Sequence, residues 1–425
     1  MREYPRYILF ITILSFSFLI VAQHSTMYVS GKILYDICGT PILLRGVNYA
    51  PFDWGANVNN DNLKEIEKTG ANCVRLVWYV NSKKPEYTVA NLDTIIARCA
   101  RNKMIPILEL HDQTCSDDEK ALMELARYFT RNDVAEVLQK HKEYIIVNIA
   151  NEALKRKWTG FPGKAVQRYI NVYSQIIRDL RANNFEFPLM IDAPDCGQDI
   201  TIFDKAASSL MEADTRKNLI FSAHAYWYYY AGNNLARMEK LITNTLYLDY
   251  PIVIGEFANY QDDSKNCQYK LDYSFLLQLC EQYDIPWLAW SWDNDNCELR
   301  RMSTDGTFES LSAYGNDIVN NPVYGLKSGT FRSPFLLHKK QCISVEDVES
   351  IEEELIVEFK SYPSSDEVIV FSNCDIIGSR IVIYDISGRL LKEIHLEEQQ
   401  SFSSKGLKNG VYLIEVNKMM FLYKK

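Results

Sequence analysis

Tyr144-Ile-Ile-Val-Asn-Ile-Ala-Asn-Glu152 is a mostly apolar run that ends on a carboxylate, and Pro251-Ile-Val-Ile-Gly-Glu256 repeats the pattern further along the chain. Short apolar runs without polar alternation read as strands buried on both faces, as parallel sheets require. Working outward, further strand-like runs lie at Leu43–Tyr49, Cys73–Tyr79, Ile105–Asp112, Pro188–Pro194, Leu219–Trp227 and Pro286–Asp293. Amphipathic stretches separate them: Asn60–Thr69, Val89–Lys103, Lys164–Ala182 and Tyr269–Tyr283. In Lys164–Ala182 the apolar residues Val166, Ile170, Tyr173, Ile176, Ile177 and Leu180 keep helical spacing. Eight strands alternating with helices predict an α/β fold, a (β/α)8 TIM barrel, with the two glutamates on strands four and seven. A doubly wound open sheet is the alternative. No Gly-rich turn follows the first strand, which disfavours its dinucleotide-binding version.

The ends differ in texture. Arg2 and Arg6 precede the apolar run Ile8–Ala22, which reads as a signal peptide over residues 1–22 and places the protein outside the cell or on its surface. The barrel then occupies residues 23–321. Pro322, Gly325, Ser328, Gly329 and Pro334 mark residues 322–345 as a linker. Short strand patterns follow at Leu355–Phe359, Glu367–Phe371, Arg380–Asp385, Leu390–Leu396 and Val411–Val416, broken by turn signals such as Ser387-Gly388 and Asn409-Gly410. They predict a small C-terminal β-sandwich over residues 346–425.

The chain has 425 residues, 47% of them hydrophobic, and a net charge of −9 with no basic block, so nucleic acid is not an expected partner. A monomer is expected. The ten cysteines are scattered, with no Cys-x-x-Cys pair, and neither a metal site nor a cofactor is indicated. Cys73, Cys99 and Cys280 lie in strand or helix patterns and read as buried thiols. Cys267 with Cys297 is a candidate bridge between loops.

In a barrel of parallel strands the C-terminal tips share one mouth, where such folds do their chemistry. Alternation tests what each strand brings there. Arg75 shares a face with Cys73 and Val77, His111 with Glu109, His224 with Tyr226, and Trp290 with Trp292. Two carboxylates across a mouth are the minimal equipment for cleaving a glycosidic bond, one as nucleophile and one as acid and then base. A nucleophile wants a neighbouring cation and hydroxyl donors, which Arg75 and Tyr226 supply. Trp290 offers a flat face for a sugar ring, and Asn151 an amide for a sugar hydroxyl. Each signal has a plainer reading. Asn-Glu after a strand is ordinarily a loop entrance, a buried Arg75 paired with Glu109 inside the barrel is a common structural role, and a lone histidine is ordinarily a satisfied core residue.

In order, Arg45-Gly-Val-Asn48, Gly70-Ala-Asn-Cys-Val-Arg75, Leu110-His111-Asp112, Asn151-Glu152, His224-Ala-Tyr226, Gly255-Glu256-Phe257 and Trp290-Ser-Trp292 resemble glycoside hydrolase family 5, over roughly residues 28–321. The resemblance implies hydrolysis of β-glycosidic bonds with retention, Glu152 as acid/base and Glu256 as nucleophile. Arg75, His111, Asn151, His224, Tyr226, Trp290 and Trp292 are implied to support them and bind substrate. Within the family, Val147-Asn-Ile-Ala-Asn-Glu152, Tyr226-Trp-Tyr-Tyr-Tyr-Ala-Gly232 and Trp287-Leu-Ala-Trp-Ser-Trp292 resemble bacterial endo-β-1,4-mannanases, which implies a mannan or glucomannan substrate. Tyr49-Ala-Pro-Phe-Asp53 and Ala258-Asn259 stand where that branch tends to carry histidines. A β-1,4-glucanase is the alternative, and a polysaccharide-binding barrel without catalysis the rival of another class. Ile383-Tyr-Asp-Ile-Ser-Gly388-Arg and Leu407-Lys-Asn-Gly410-Val-Tyr-Leu-Ile-Glu-Val416 resemble the sorting domain of the type IX secretion system, which implies secretion machinery as a partner.

Overall fold

The computed structural model describes residues 24–54, 61–232, 234–261, 267–337 and 342, with 357–361, 367–372, 379–385, 390–396, 401–403, 407, 411–416 and 419–424 beyond them. The expected signal peptide at residues 1–22 lies outside the described residues.

Eight strands form a closed barrel: β1 Arg45–Tyr49, β2 Cys73–Trp78, β3 Ile105–Leu110, β4 Ile146–Asn148, β5 Leu189–Asp192, β6 Leu219–His224, β7 Ile252–Phe257 and β8 Trp287–Ala289. Each pairs in parallel with its neighbours in sequence, and β8 closes on β1 through Trp287 opposite Arg45. All eight strands are buried along their full length, which is why they lack polar alternation: one face fills the barrel and the other meets the helices. The expected (β/α)8 architecture is present.

The amphipathic stretches form the outer helices. Val89–Arg101 is capped by the Thr88 hydroxyl, which accepts from the Asn91 N–H, and Tyr273–Gln282 by the Asp272 carboxylate, which accepts from the Phe275 N–H. The longest, Pro162–Ala182, starts on a proline whose missing N–H costs nothing in a first turn. Its buried face includes Tyr169, Val172, Tyr173, Ile176, Ile177 and Leu180. Tyr169 donates to the Asp192 carbonyl at 2.7 Å, tying this helix to the tip of β5.

Several boundaries differ from the sequence reading. β4 stops at Asn148, so Glu152 stands in the following turn, and β8 stops at Ala289, before Trp290. Residues 322–337, expected in the linker, pack on the barrel. Tyr324, Leu326, Phe335 and Leu336 are buried, the Asn72 amide donates to the Phe331 carbonyl, and Ser333 donates to Asp36. Glycine and proline there shape tight turns around a packed segment.

The C-terminal strands form two antiparallel sheets. One holds Val357–Ser361, Glu367–Ser372 and Ser401–Ser403; the other runs Leu390–His395, Arg380–Asp385, Val411–Val416, Met419–Lys424. Ser401–Ser403 and Met419–Lys424 escaped the sequence reading, the first because three residues carry no period and the second because its apolar run does not alternate. Cys267 and Cys297 are bridged, and Cys73, Cys99 and Cys280 are buried thiols. Two further disulfides, Cys38–Cys342 and Cys115–Cys196, join segments far apart in sequence. Among the described residues no helix is long and apolar enough to cross a membrane.

Candidate active site

Arg75, in the middle of β2, organises the mouth. All five of its N–H groups are met: Nε by Asn148 Oδ1 at 2.8 Å, Nη1 by Glu256 Oε1 at 2.7 Å and Asn48 Oδ1 at 3.1 Å, Nη2 by Asn151 Oδ1 at 2.7 Å and Asp192 Oδ2 at 3.1 Å. A fully buried guanidinium is tolerable only with such complete pairing. Burial alone pulls its pKa down, but Glu109, Asp192, Glu256 and Glu152 outweigh that and hold it raised. The plain pairing with Glu109 is present too, at a longer 3.7 Å.

Glu256 projects from β7 with both oxygens engaged, Oε1 by Arg75 and Oε2 by the Tyr226 hydroxyl at 3.0 Å. Burial pushes its carboxyl up to about 7; Arg75 and His111 pull against that, while Glu109 and Asp192 add to it. The preceding Gly255 is needed for close packing of β7 on β6, since a Cβ there would stand 2.2 Å from Ser222 Oγ and 3.2 Å from His224 Nε2.

Glu152 sits in left-handed backbone at φ +52°, with Leu154 at +70°. A side chain in that region costs about 1 kcal/mol or more, so the surroundings must hold it there. The Glu152 N–H donates to Asp192 Oδ2 at 3.2 Å, its carbonyl accepts from the Cys115 N–H at 3.2 Å, and the Leu154 N–H donates to Ser116 at 2.7 Å. Oε1 of Glu152 lies 2.7 Å from Nδ1 of His224, and Oε2 packs 3.4 Å from Sγ of Cys115.

His224 is buried, and burial, with the charge of Arg75 and His111, holds its pKa well below the usual histidine value, so the ring is neutral at pH 7. The backbone N–H of His224 donates to the Gly197 carbonyl at 2.8 Å. Gly197 has φ +72°, and a Cβ there would stand 2.6 Å from the imidazole. A carboxylate oxygen from each glutamate and a His224 ring nitrogen all lie within 4.8 Å of one another.

Those three residues, and Cys115, Glu152 and Cys196, are the groups among the described residues that could grip an ion. The two cysteines are joined in a disulfide and offer no thiolate, and Arg75 already supplies a cation to Glu256.

Trp290 forms one wall, its indole N–H donating to Asp295. Its ring is stacked with His111 at 6.1 Å and lies 5.6 Å from Trp54, which also packs against Tyr79. His111 Nδ1 lies 2.8 Å from Glu109 Oε1. The Asn151 amide is held at both ends, its oxygen by Arg75 and its nitrogen donating to Thr114 Oγ1 at 3.0 Å. Arg75, His111, Asn151, Glu152, His224, Tyr226, Glu256 and Trp290 are thus brought together.

Trp292 is not. It is fully buried in the main core with its indole N–H on the Gly306 carbonyl at 3.2 Å, because the chain has left β8 and strand alternation no longer applies. Sequence reasoning missed Asp192, Trp54, Tyr79 and the Cys115–Cys196 bridge. Asp192 and Tyr79 stood at tips of expected strands, which was their available signal; Trp54 and the bridge lie in loops without one.

A family model described as cellulase (glycosyl hydrolase family 5) matches residues 35–296, and a secretion system C-terminal sorting domain model matches residues 362–425. A mannan endo-1,4-beta-mannosidase of Cellvibrio japonicus is 32% identical over 312 residues, 71% of this chain and 67% of that protein. Another, of Salipaludibacillus agaradhaerens, is 29% identical over 296 residues, covering 69% of this chain and 90% of its own. The crystal structure of a beta-mannanase from Streptomyces thermolilacinus with mannohexaose superposes with a TM-score of 0.62 at 27% identity, over 73% of this chain and 98% of that one.

Proposed function

The chain belongs to glycosyl hydrolase family 5, and on that premise we propose that it is a secreted, monomeric endo-β-1,4-mannanase that cleaves mannan and glucomannan with retention of configuration. The observation that carries this reading is the carboxylate pair: oxygens of Glu152 and Glu256 lie within 4.8 Å. So close an approach accords with a retaining pair, whose carboxyl groups stand ~5–5.5 Å apart, rather than with an inverting pair at ~6.5–9.5 Å.

In the first step a Glu256 oxygen bonds to the anomeric carbon as the bond to the leaving sugar breaks, and Glu152 gives its proton to the departing oxygen. Arg75 and Tyr226 both donate to Glu256, which favours its ionised form and aims it. The neutral His224 ring holds Oε1 of Glu152 at 2.7 Å without adding a positive charge to it. In the second step Glu152, now a carboxylate, takes a proton from water as the water oxygen attacks the anomeric carbon and Glu256 is released. Trp290, backed by His111 and Trp54, is the stacking face for the sugar.

Export follows from the two ends of the chain in this reading: residues 1–22 direct the chain across the inner membrane, and the tail module passes it to a type IX machinery. The sorting-domain match supports the second part, and three disulfides among the described residues suit an oxidising location. The test is reducing-sugar release from mannan, glucomannan and cellulose, with NMR of the anomer first formed from a manno-oligosaccharide. Faster cleavage of cellulose would make the enzyme a β-1,4-glucanase. Initial formation of the inverted anomer would defeat the double displacement, and no cleavage of any substrate would leave a binding barrel.

A further inference from the structure

We infer that the Cys115–Cys196 disulfide positions Glu152 for proton delivery, an inference that rests on Glu152 being the acid. The bridge joins the loop after β3 to the loop after β5 across the turn that carries Glu152. Its Cys115 sulfur packs 3.4 Å from Oε2, while Oε1 is engaged by His224 at 2.7 Å. The bridge thus borders one carboxyl oxygen of Glu152 while His224 holds the other. A disulfide sulfur has no proton to give, and its contact restricts how the carboxyl rotates.

The backbone supports the same conclusion. Cys115 (φ +58°), Glu152 (+52°), Leu154 (+70°), Asp195 (+59°) and Cys196 (+52°) are all left-handed, although none is glycine. Side chains rarely adopt that conformation, and such clusters persist only where neighbours over-determine them. Here the Cys115 N–H donates to the Glu152 carbonyl and the Asp195 N–H to the Leu154 carbonyl, so each end of the bridge sits on, or beside, a residue bonded to the Glu152 turn. Both cysteines are half-buried, within reach of a small reductant.

The test compares kcat/KM on two β-mannobiosides, one with a 2,4-dinitrophenyl leaving group that departs without a proton, the other with an unsubstituted phenyl group that benefits from one. For Cys115→Ala/Cys196→Ala we expect a loss of about 10- to 100-fold on the phenyl substrate and under about threefold on the dinitrophenyl one, as a misplaced acid should give. Glu152→Ala is the reference and should show the same asymmetry, only larger. Equal losses on both substrates, with Glu152→Ala still discriminating, would reduce the bridge to a fold staple and overturn the inference. A Glu152→Ala variant that does not discriminate would remove the acid role itself, and the inference with it. If the double variant fails to fold, the wild-type enzyme reduced by a phosphine, with free Cys115 and Cys196 verified by mass spectrometry, gives the same ratio.

Discussion

Nδ1 of His224 stands 2.7 Å from Oε1 of Glu152, with the imidazole buried and pinned by Gly197. The contact orients the carboxyl without adding charge, because the ring is neutral. His224→Ala is expected to lower kcat on mannan at least about tenfold with KM little changed, as removal of an acid's support should. Steady-state kinetics check this; an unchanged kcat would make His224 a core residue only.

The Glu256 carboxyl, raised by burial from 4.5 to about 7, sets an acid limb. A nucleophile works ionised, so its active form is lost as pH falls through about 7, and kcat/KM should begin to fall near neutrality. The stability sign is opposite: this group's contribution is full below its unfolded value and is lost as pH rises through about 7. A pH profile of kcat/KM with its acid limb at the ordinary 4.5 would contradict the first expectation.

Arg75 faces Glu109, Asp192 and Glu256 from β2. Arg75→Met leaves those buried carboxyls without it, and a stability loss of about 3–5 kcal/mol is expected in urea unfolding. A loss below about 1 kcal/mol would mean the carboxyls simply take up protons.

Trp290 and Trp292 are two residues apart and should fail differently. Trp290→Ala should raise KM for manno-oligosaccharides by about two- to tenfold, since ring stacking is worth about 0.5–1.5 kcal/mol. Trp292→Ala should cost about 3–5 kcal/mol of stability by opening the core. Kinetics beside thermal melts separate them, and a KM effect confined to Trp292 would reverse the assignment.

Much of the site was legible because barrel strands bring their tips together by rule. Arg75, His111, His224 and Tyr226 lie on or just past strands, where a period of two assigns their face, and Glu256 ends a strand-like run. Trp292 was misplaced for the converse reason, since the chain had already left β8 and no period governs a loop. Asp192 had only its place near a strand tip as a signal, because its partners Arg75, Asn148 and the Glu152 N–H come from other elements.

By itself the sequence determined the barrel, since runs of apolar residues between amphipathic stretches can be buried on both faces only by parallel strands under helices. It also pointed to Glu152 and Glu256, whose oxygens the structure brings within 4.8 Å. Only the tertiary structure decided that Glu152 leaves its strand and turns through left-handed backbone, that Cys115 pairs with Cys196 around it, and that residues 322–337 pack on the barrel. The reason is physical: hydrophobic period reports which faces are buried, whereas these features depend on contacts between segments that meet only once the barrel has closed.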